Sequence, residues 1–283
     1  MQGTIQHINK ELSGYYPQSE IQGFIRLIGE HICGWNYTEC VLRKNEMLDK
    51  QLVDEINTII ERLKKYEPIQ HIMGETVFFG LKIKVTPAVL IPRPETEELV
   101  QWVLNTTKQQ KAPEVLDIGT GSGCIALALK SQNEEARVSA VDISPGALKI
   151  ARENARLNKL DVTFDRADIL NFEHTKWKKY DIIVSNPPYI RESEKVDMQP
   201  NVLRYEPQKA LFVPNNNPLL YYKKVLEFAK HYLKPGGMLF LEINENFGND
   251  MKQLAGGHGY VRVKIRNDIH GKQRMMCCVC PAL

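Results

Sequence analysis

The chain has 283 residues, 43% of them apolar and 25% charged, with a formal net charge of +3, which describes an ordinary soluble protein with room for about two domains. No apolar run approaches the roughly 18 residues of a membrane span, and "MQGTIQHINKELSG" lacks the basic-then-apolar order of a secretory signal, so a cytoplasmic protein is expected. Residues 1–75 carry 8 Lys and Arg against 11 Asp and Glu, a net −3 that leaves +6 for residues 76–283, and an acidic first segment is a poor footprint for a nucleic-acid-binding domain.

The first segment reads as a small helical bundle. "SEIQGFIRLIGEHI" opens on a Ser19-x-x-Gln22 capping box, and "DKQLVDEINTIIERLKKY" repeats Leu52, Val53, Ile56, Ile59, Ile60 and Leu63 at helical spacing. "TVFFGLKIKV" then predicts two short strands around Gly80, and "LIPRPETEELVQWVLNTT" a loop entering a helix near Pro94. The expected organisation is a helical domain over 1–75, a β-hairpin connector over 76–93 and an α/β domain over 94–283. Within the last, "EVLDI", "ARVSAVDI", "DVTFD", "YDIIVSN", "GGMLFLEI", "YVRVKI" and "RMMCCVC" are strand candidates that largely alternate with helical patterns. Such alternation predicts a mostly parallel, doubly wound sheet. Cys33, Cys40, Cys124, Cys277, Cys278 and Cys280 include no CxxC pair and no companion histidines at zinc spacing; buried thiols and no metal site are expected.

The first α/β strand delivers "VLDIGTGSGCIALAL". Gly119, Gly121 and Gly123, with Thr120 and Ser122 between them, permit a tight turn and close backbone approach, and the helix that follows offers free N–H groups. GxGxG is one residue shorter than the dinucleotide fingerprint, and no GKS/T lysine is present to hold terminal phosphates. Asp142 ends the second strand about 20 residues on, where an acid either binds both ribose hydroxyls of a nucleoside or caps the helix after Ser144 and Pro145. Asp117 precedes the glycines, placed to order the loop or to receive a cationic group. S-adenosylmethionine is a nucleoside of that kind.

"DIIVSNPPYI" ends a buried strand on Asn186, stiffened by Pro187 and Pro188. One reading is a strand terminator. The other is a clamp in which the Asn186 amide oxygen and the Pro187 carbonyl accept both hydrogens of a planar –NH₂ group while Tyr189 packs against its plane. Holding those hydrogens favours the pyramidal nitrogen that attacks a methyl group. Such chemistry depends on positioning more than on a strong base.

"IPRPETEELV", "VLDIGTGSGCIALAL", "VDISPGAL", "NARLNKL", "VSNPPYI", "RYEPQKAL", "LKPGG" and "DIHGKQRM" resemble, in that order, the peptide chain release factor N5-glutamine methyltransferases, from about Tyr66 to the carboxyl terminus. The resemblance implies a seven-stranded, Rossmann-like methyltransferase sheet and methyl transfer from S-adenosylmethionine to the side-chain amide nitrogen of glutamine in the Gly-Gly-Gln motif of release factors. It implies that Gly119, Thr120, Gly121, Ser122 and Gly123 cradle the cofactor, that Asp142 holds its ribose, and that Asn186, Pro187, Pro188 and Tyr189 clamp the glutamine, Asn186 also bordering the cofactor. Asp168 falls where the family places a residue near the adenine amine, or else ends a strand in a turn; Ile169 stands where some members carry tryptophan. Arg93, Glu95 and Glu97, in the family's signature loop, either line the substrate channel or serve the start of their helix, and "RYEP", Arg204 to Pro207, orders the loop after NPPY. The helical domain would dock the release factor onto a monomeric enzyme, with neither membrane nor nucleic acid as partner. An adenine-N6 nucleic-acid methyltransferase would use the same clamp but would have to extrude a base and hold a charged backbone; a non-catalytic nucleoside-binding scaffold would not need NPPY, and a dehydrogenase would need GxGxxG.

Overall fold

The computed structural model describes residues 2–35, 37–43 and 45–282. They form two compact units, Met1–Gly74 with Gln199–Tyr205, and Glu75–Met198 with Glu206–Leu283.

The smaller unit contains α1 (Gln2–Leu12), α2 (Gln18–Cys33), α3 (Tyr37–Leu42), α4 (Lys50–Leu63) and α5 (Ile69–Met73). Asp49 caps α4 by accepting from Leu52 N at 2.9 Å, and Ile56, Ile59, Ile60 and Leu63 form the buried stripe that the spacing predicts. Leu52 and Val53, in the first turn, are half-buried. The stripe packs against Ile8, Leu12, Ile21, Phe24 and Ile28 of α1 and α2. The capping box expected at Ser19 is not formed: α2 begins at Gln18 with Pro17 as its cap, and no side chain bonds there. Pro17 starts the helix two residues earlier, which carries Ser19 into the first turn, and Gln22 turns its amide to Asn9 Oδ1 at 3.4 Å.

The larger unit opens with β1 (Glu75–Phe78) and β2 (Leu81–Lys84), an antiparallel hairpin. Phe79 and Gly80, at φ 51° and 78°, form its two-residue turn, the left-handed pair that matches the strand twist. The hairpin does more than connect. Phe78, Ile83, Val85 and Val89 are buried in the same core as the sheet. There follow α6 (Pro94–Thr107), β3 (Glu114–Ile118), α7 (Cys124–Gln132), β4 (Arg137–Asp142), α8 (Pro145–Asn158), β5 (Thr163–Arg166), β6 (Tyr180–Ser185), β7 (Ile190–Arg191), α9 (Pro200–Tyr205, in the smaller unit), α10 (Gln208–Leu211), β8 (Phe212–Val213), α11 (Leu220–Tyr232), β9 (Leu233–Glu242), α12 (Gly248–Gly257), β10 (Val261–Asn267) and β11 (Gln273–Val279).

All seven strand candidates join one sheet of order β10-β11-β9-β6-β3-β4-β5. β9, β6, β3, β4 and β5 run parallel; β11 is antiparallel to both of its neighbours. Both faces of the sheet are covered, so its central strands are continuous apolar runs whose alternate residues enter opposite cores. Val115, Ile182, Val184, Phe240, Met275 and Cys277 enter one, and Leu116, Ile118, Ile183, Leu239, Leu241, Met276 and Cys278 the other. Cys124, Cys277 and Cys278 are buried free thiols, whereas Cys33 and Cys280 are half-buried; the Cys40 side chain lies outside the described residues. Among the described residues no helix is long and apolar enough to cross a membrane.

The chain runs β3, β4, β5 to one side of β3 and then crosses to β6 on the other, which makes the carboxyl ends of β3 and β6 the switch point where such sheets open a crevice. Register brings the ends of these strands level. Ile118 lies opposite both Val141 and Ser185, and Ser185 opposite Leu241. The next residues, Asp142, Gly119, Asn186 and Glu242, therefore form one row along the sheet's carboxyl edge.

Candidate active site

A cavity of about 370 Å³ opens at that edge, lined by residues that include Gly119 to Ser122, Asp142, Asp168, Ile169 and Asn186 to Pro188. Its volume lies within the ~300–1,000 Å³ usual for small-molecule sites. Gly119 and Gly121 have φ of 73° and 56°, and a Cβ at either would meet no protein atom within 4 Å; the turn presents bare backbone. Gly123 does not line the cavity. It caps α7 at φ 84°, and a Cβ there would come to 3.2 Å from Ala151 Cβ, so this glycine lets α7 and α8 approach.

Two acids shape the turn. Asp142 accepts from Gly121 N and Ser144 N, each at 2.9 Å, one bond per oxygen, which leaves further lone pairs toward the cavity it lines. Burial raises its pKa. Asp117 is fully buried and away from the cavity wall; its Oδ2 accepts from Thr120 Oγ1 at 2.6 Å. Of its two expected tasks, the geometry gives it the ordering of the loop. Burial pushes its carboxyl up to about 7 against the ordinary 3.8. Ser122 is 2% exposed and stands on the cavity wall. Asp168 caps the short helical turn over Ile169–His174 by accepting from Leu170 N at 3.0 Å, and both it and Ile169 face the cavity.

Asn186 donates from Nδ2 to Thr96 Oγ1 at 3.3 Å, and no hydrogen bond among the described residues engages its Oδ1. Pro187 and Pro188 line the cavity beside it; Tyr189 does not. The Tyr189 hydroxyl instead donates to Glu242 Oε1 at 2.9 Å, and burial beside that acid holds its pKa well above 10. The phenol thus points into the protein, not across the clamp as expected, because a buried carboxylate competes for it. Arg93 lines the cavity and pairs with Glu206, whose other oxygen accepts from Ile91 N at 3.1 Å. Glu206 belongs to the "RYEP" stretch, and it anchors the loop before α6, not the one after NPPY that sequence reading assigned to it. Glu95 stands in the first turn of α6, half-buried and off the cavity wall. Glu97, two residues on and so on a different face of the helix, accepts from Phe79 N at 2.6 Å.

Sequence reasoning missed Thr96 and Glu242. An acid closing the apolar run "GGMLFLEI" was the available signal, since an ionisable residue within a doubly buried strand needs a partner.

The profile of the methyltransferase small domain matches residues 96–205, and that of the PrmC N-terminal domain matches residues 4–74. A methyltransferase from Pyrococcus furiosus superposes with a TM-score of 0.52 at 21% identity, over 72% of this chain and 90% of that one, a likeness of fold. Two relatives named release factor glutamine methyltransferase align almost end to end: that of Bacteroides thetaiotaomicron is 42% identical over 95% of this chain and 96% of its own, and that of Flavobacterium psychrophilum 41% identical over 94% of each. A methyltransferase sheet with a nucleoside-sized cavity at its switch point, joined to a helical domain of matching type and to relatives of this identity, places the chain in the release factor glutamine methyltransferase family.

Proposed function

We propose that this enzyme methylates the side-chain amide nitrogen of the glutamine in the Gly-Gly-Gln motif of a peptide chain release factor, with S-adenosylmethionine as donor. The cavity fits that cofactor: the bare backbone at Gly119 and Gly121 admits a group that any Cβ would displace, and Asp142 keeps acceptor sites for a ribose. Ser122 offers a polar contact, while Ile143, Ile169 and Leu170 supply apolar wall. When bound, S-adenosylmethionine supplies an electrophilic sulfonium methyl group.

The protein's part is to present a weak nucleophile. An amide nitrogen delocalises its lone pair, and acceptors placed on its two hydrogens favour the pyramidal geometry in which that pair can attack. Asn186 Oδ1, not engaged by any of the described residues, is the first acceptor and the Pro187 carbonyl the second. Neither is a base strong enough to ionise an amide, so the acceleration comes from orientation, which contributes as much as ~7–11 kcal/mol in favourable cases. The observation that carries this reading is the register that sets Asn186 next to the glycine turn at adjacent strand ends.

The helical unit takes the role of dock. It holds none of the cavity residues, so any part it takes in the reaction lies outside the cavity. Radiolabelled methyl transfer to purified release factor, to a variant with its Gly-Gly-Gln glutamine replaced, and to oligonucleotides tests the assignment. Label in the intact factor alone is expected; label in the replaced variant or in nucleic acid overturns it.

A further inference from the structure

The carboxyl row of the sheet carries one acid that the chemistry above does not use. Glu242 stands next to Asn186 in that row, 2% exposed. Two hydroxyls converge on it: Thr96 Oγ1 donates to Oε2 at 2.6 Å, and Tyr189 donates to Oε1 at 2.9 Å. Thr96, 3% exposed in the first turn of α6, in turn receives Asn186 Nδ2 at 3.3 Å. The nearby cation, Arg274, is bonded elsewhere, to Asp268 at 3.2 Å and Glu245 at 3.1 Å.

The direction of these bonds has a consequence at Asn186. A carboxylate only accepts, and a threonine hydroxyl has a single proton. Thr96 spends its proton on Glu242, so toward Asn186 it can only accept. Asn186 must therefore turn its –NH₂ to Thr96 and its Oδ1 the other way. The two ends of a primary amide are nearly alike in shape, so packing alone chooses weakly between them; a flipped Asn186 would set two donors where the clamp needs an acceptor. A buried acid is also costly to keep for stability alone, because apolar packing serves that purpose as well or better.

We infer that Thr96 and Glu242 are positioning residues for methyl transfer, forming a buried relay that locks the Asn186 amide with its oxygen toward the reacting nitrogen. The inference rests on the clamp reading of NPPY. It extends that reading to two side chains 146 residues apart, from α6 and β9, that act through the Asn186 amide.

Steady-state methylation of release factor by wild type, Thr96→Val, Thr96→Ser, Glu242→Gln and the Thr96→Val/Glu242→Gln double variant tests the relay, with circular dichroism melts to verify folding and calorimetry for S-adenosylmethionine. Thr96→Val, which keeps the shape, and Glu242→Gln, which leaves an acceptor for only one of the two hydroxyls that converge there, are each expected to lower kcat about 10- to 100-fold, the scale of a misoriented reacting group. KM for release factor and cofactor affinity should stay within about threefold. Thr96→Ser, which retains the hydroxyl, should return kcat to within about threefold of wild type. The double variant should be no worse than the slower single, as for groups acting in series. Singles that keep kcat within about threefold, losses that multiply in the double variant, or a serine that fails to rescue would each overturn the relay; if Glu242→Gln does not fold, the Thr96 pair decides. Asn186→Ala in the same assay separates the two ideas: inactive beside fully active relay variants, it leaves the clamp standing and the relay wrong, whereas an active Asn186→Ala removes the clamp itself.

Discussion

Replacing Asp142 by alanine removes two kinds of bond at once. In the free protein its oxygens hold Gly121 N and Ser144 N, each at 2.9 Å; in the proposed cofactor complex their remaining lone pairs would face the ribose. The backbone bonds are lost in free and bound protein alike, so most of their cost cancels from the affinity and appears in stability. The ribose contact does not cancel. A hydrogen bond to a charged acceptor contributes ~1.5–3 kcal/mol, which corresponds to a dissociation constant raised about 10- to 140-fold. Asp142→Asn, which keeps one acceptor, should fall between wild type and alanine. Isothermal titration with S-adenosylmethionine and with S-adenosylhomocysteine measures the change, and both ligands should weaken together because they share the ribose. A folded Asp142→Ala protein that binds either within threefold of wild type would refute the assignment and leave Asp142 as a cap for Gly121 and Ser144.

Asn186→Ala should reduce kcat by at least about 100-fold with cofactor affinity largely retained, read by methylation and calorimetry together; activity within tenfold of wild type counts against the clamp. Glu206→Ala leaves the buried Ile91 N–H without its acceptor, at ~1–3 kcal/mol, and should lower the melting temperature by about 2–12 °C, with Glu206→Gln milder; an unchanged melt shows that the loop before α6 is held otherwise. Asp117 takes up its proton in the folded state near pH 7, well above its ordinary 3.8, so the folded protein binds more protons than the unfolded chain between those values and stability falls as pH rises from about 4 to 7. Asp117→Asn should flatten that part of the stability profile in urea titrations, and an unaltered slope would show that Asp117 is not its source. Charge reversal at Glu39 and Glu46, tried with other acidic pairs of the helical unit, should slow methylation of intact release factor and spare a short Gly-Gly-Gln peptide that the enzyme accepts; equal rates for every folded variant would leave that unit no docking role.

Much of the site was legible before any coordinates. The glycine turn announces itself because backbone at φ 73° and 56° is cheap only for glycine, and NPPY because two prolines constrain the residues around them within a few bonds. The central strands show in their apolar runs because a sheet covered on both faces needs apolar residues at successive positions, whereas β5 and β10 at the edges are mostly exposed. Ser19 misled because a capping motif competes with whatever starts the helix first, and Pro17 did so. Tyr189 misled because its orientation depends on an acid 53 residues away.

What the sequence by itself determined are the features set by forces that act over a few residues: the glycine turn, the stiff NPPY segment, the amphipathic helices and the strand-bearing segments. What only the tertiary structure decided is which of them meet. Arg93 finds Glu206 across 113 residues and Thr96 finds Glu242 across 146. Asp142, Gly119, Asn186 and Glu242 come into one row because parallel strands pair in a common register. Pairing over such separations is selected by the packing of two whole cores against one sheet, and no local rule of propensity or spacing contains it.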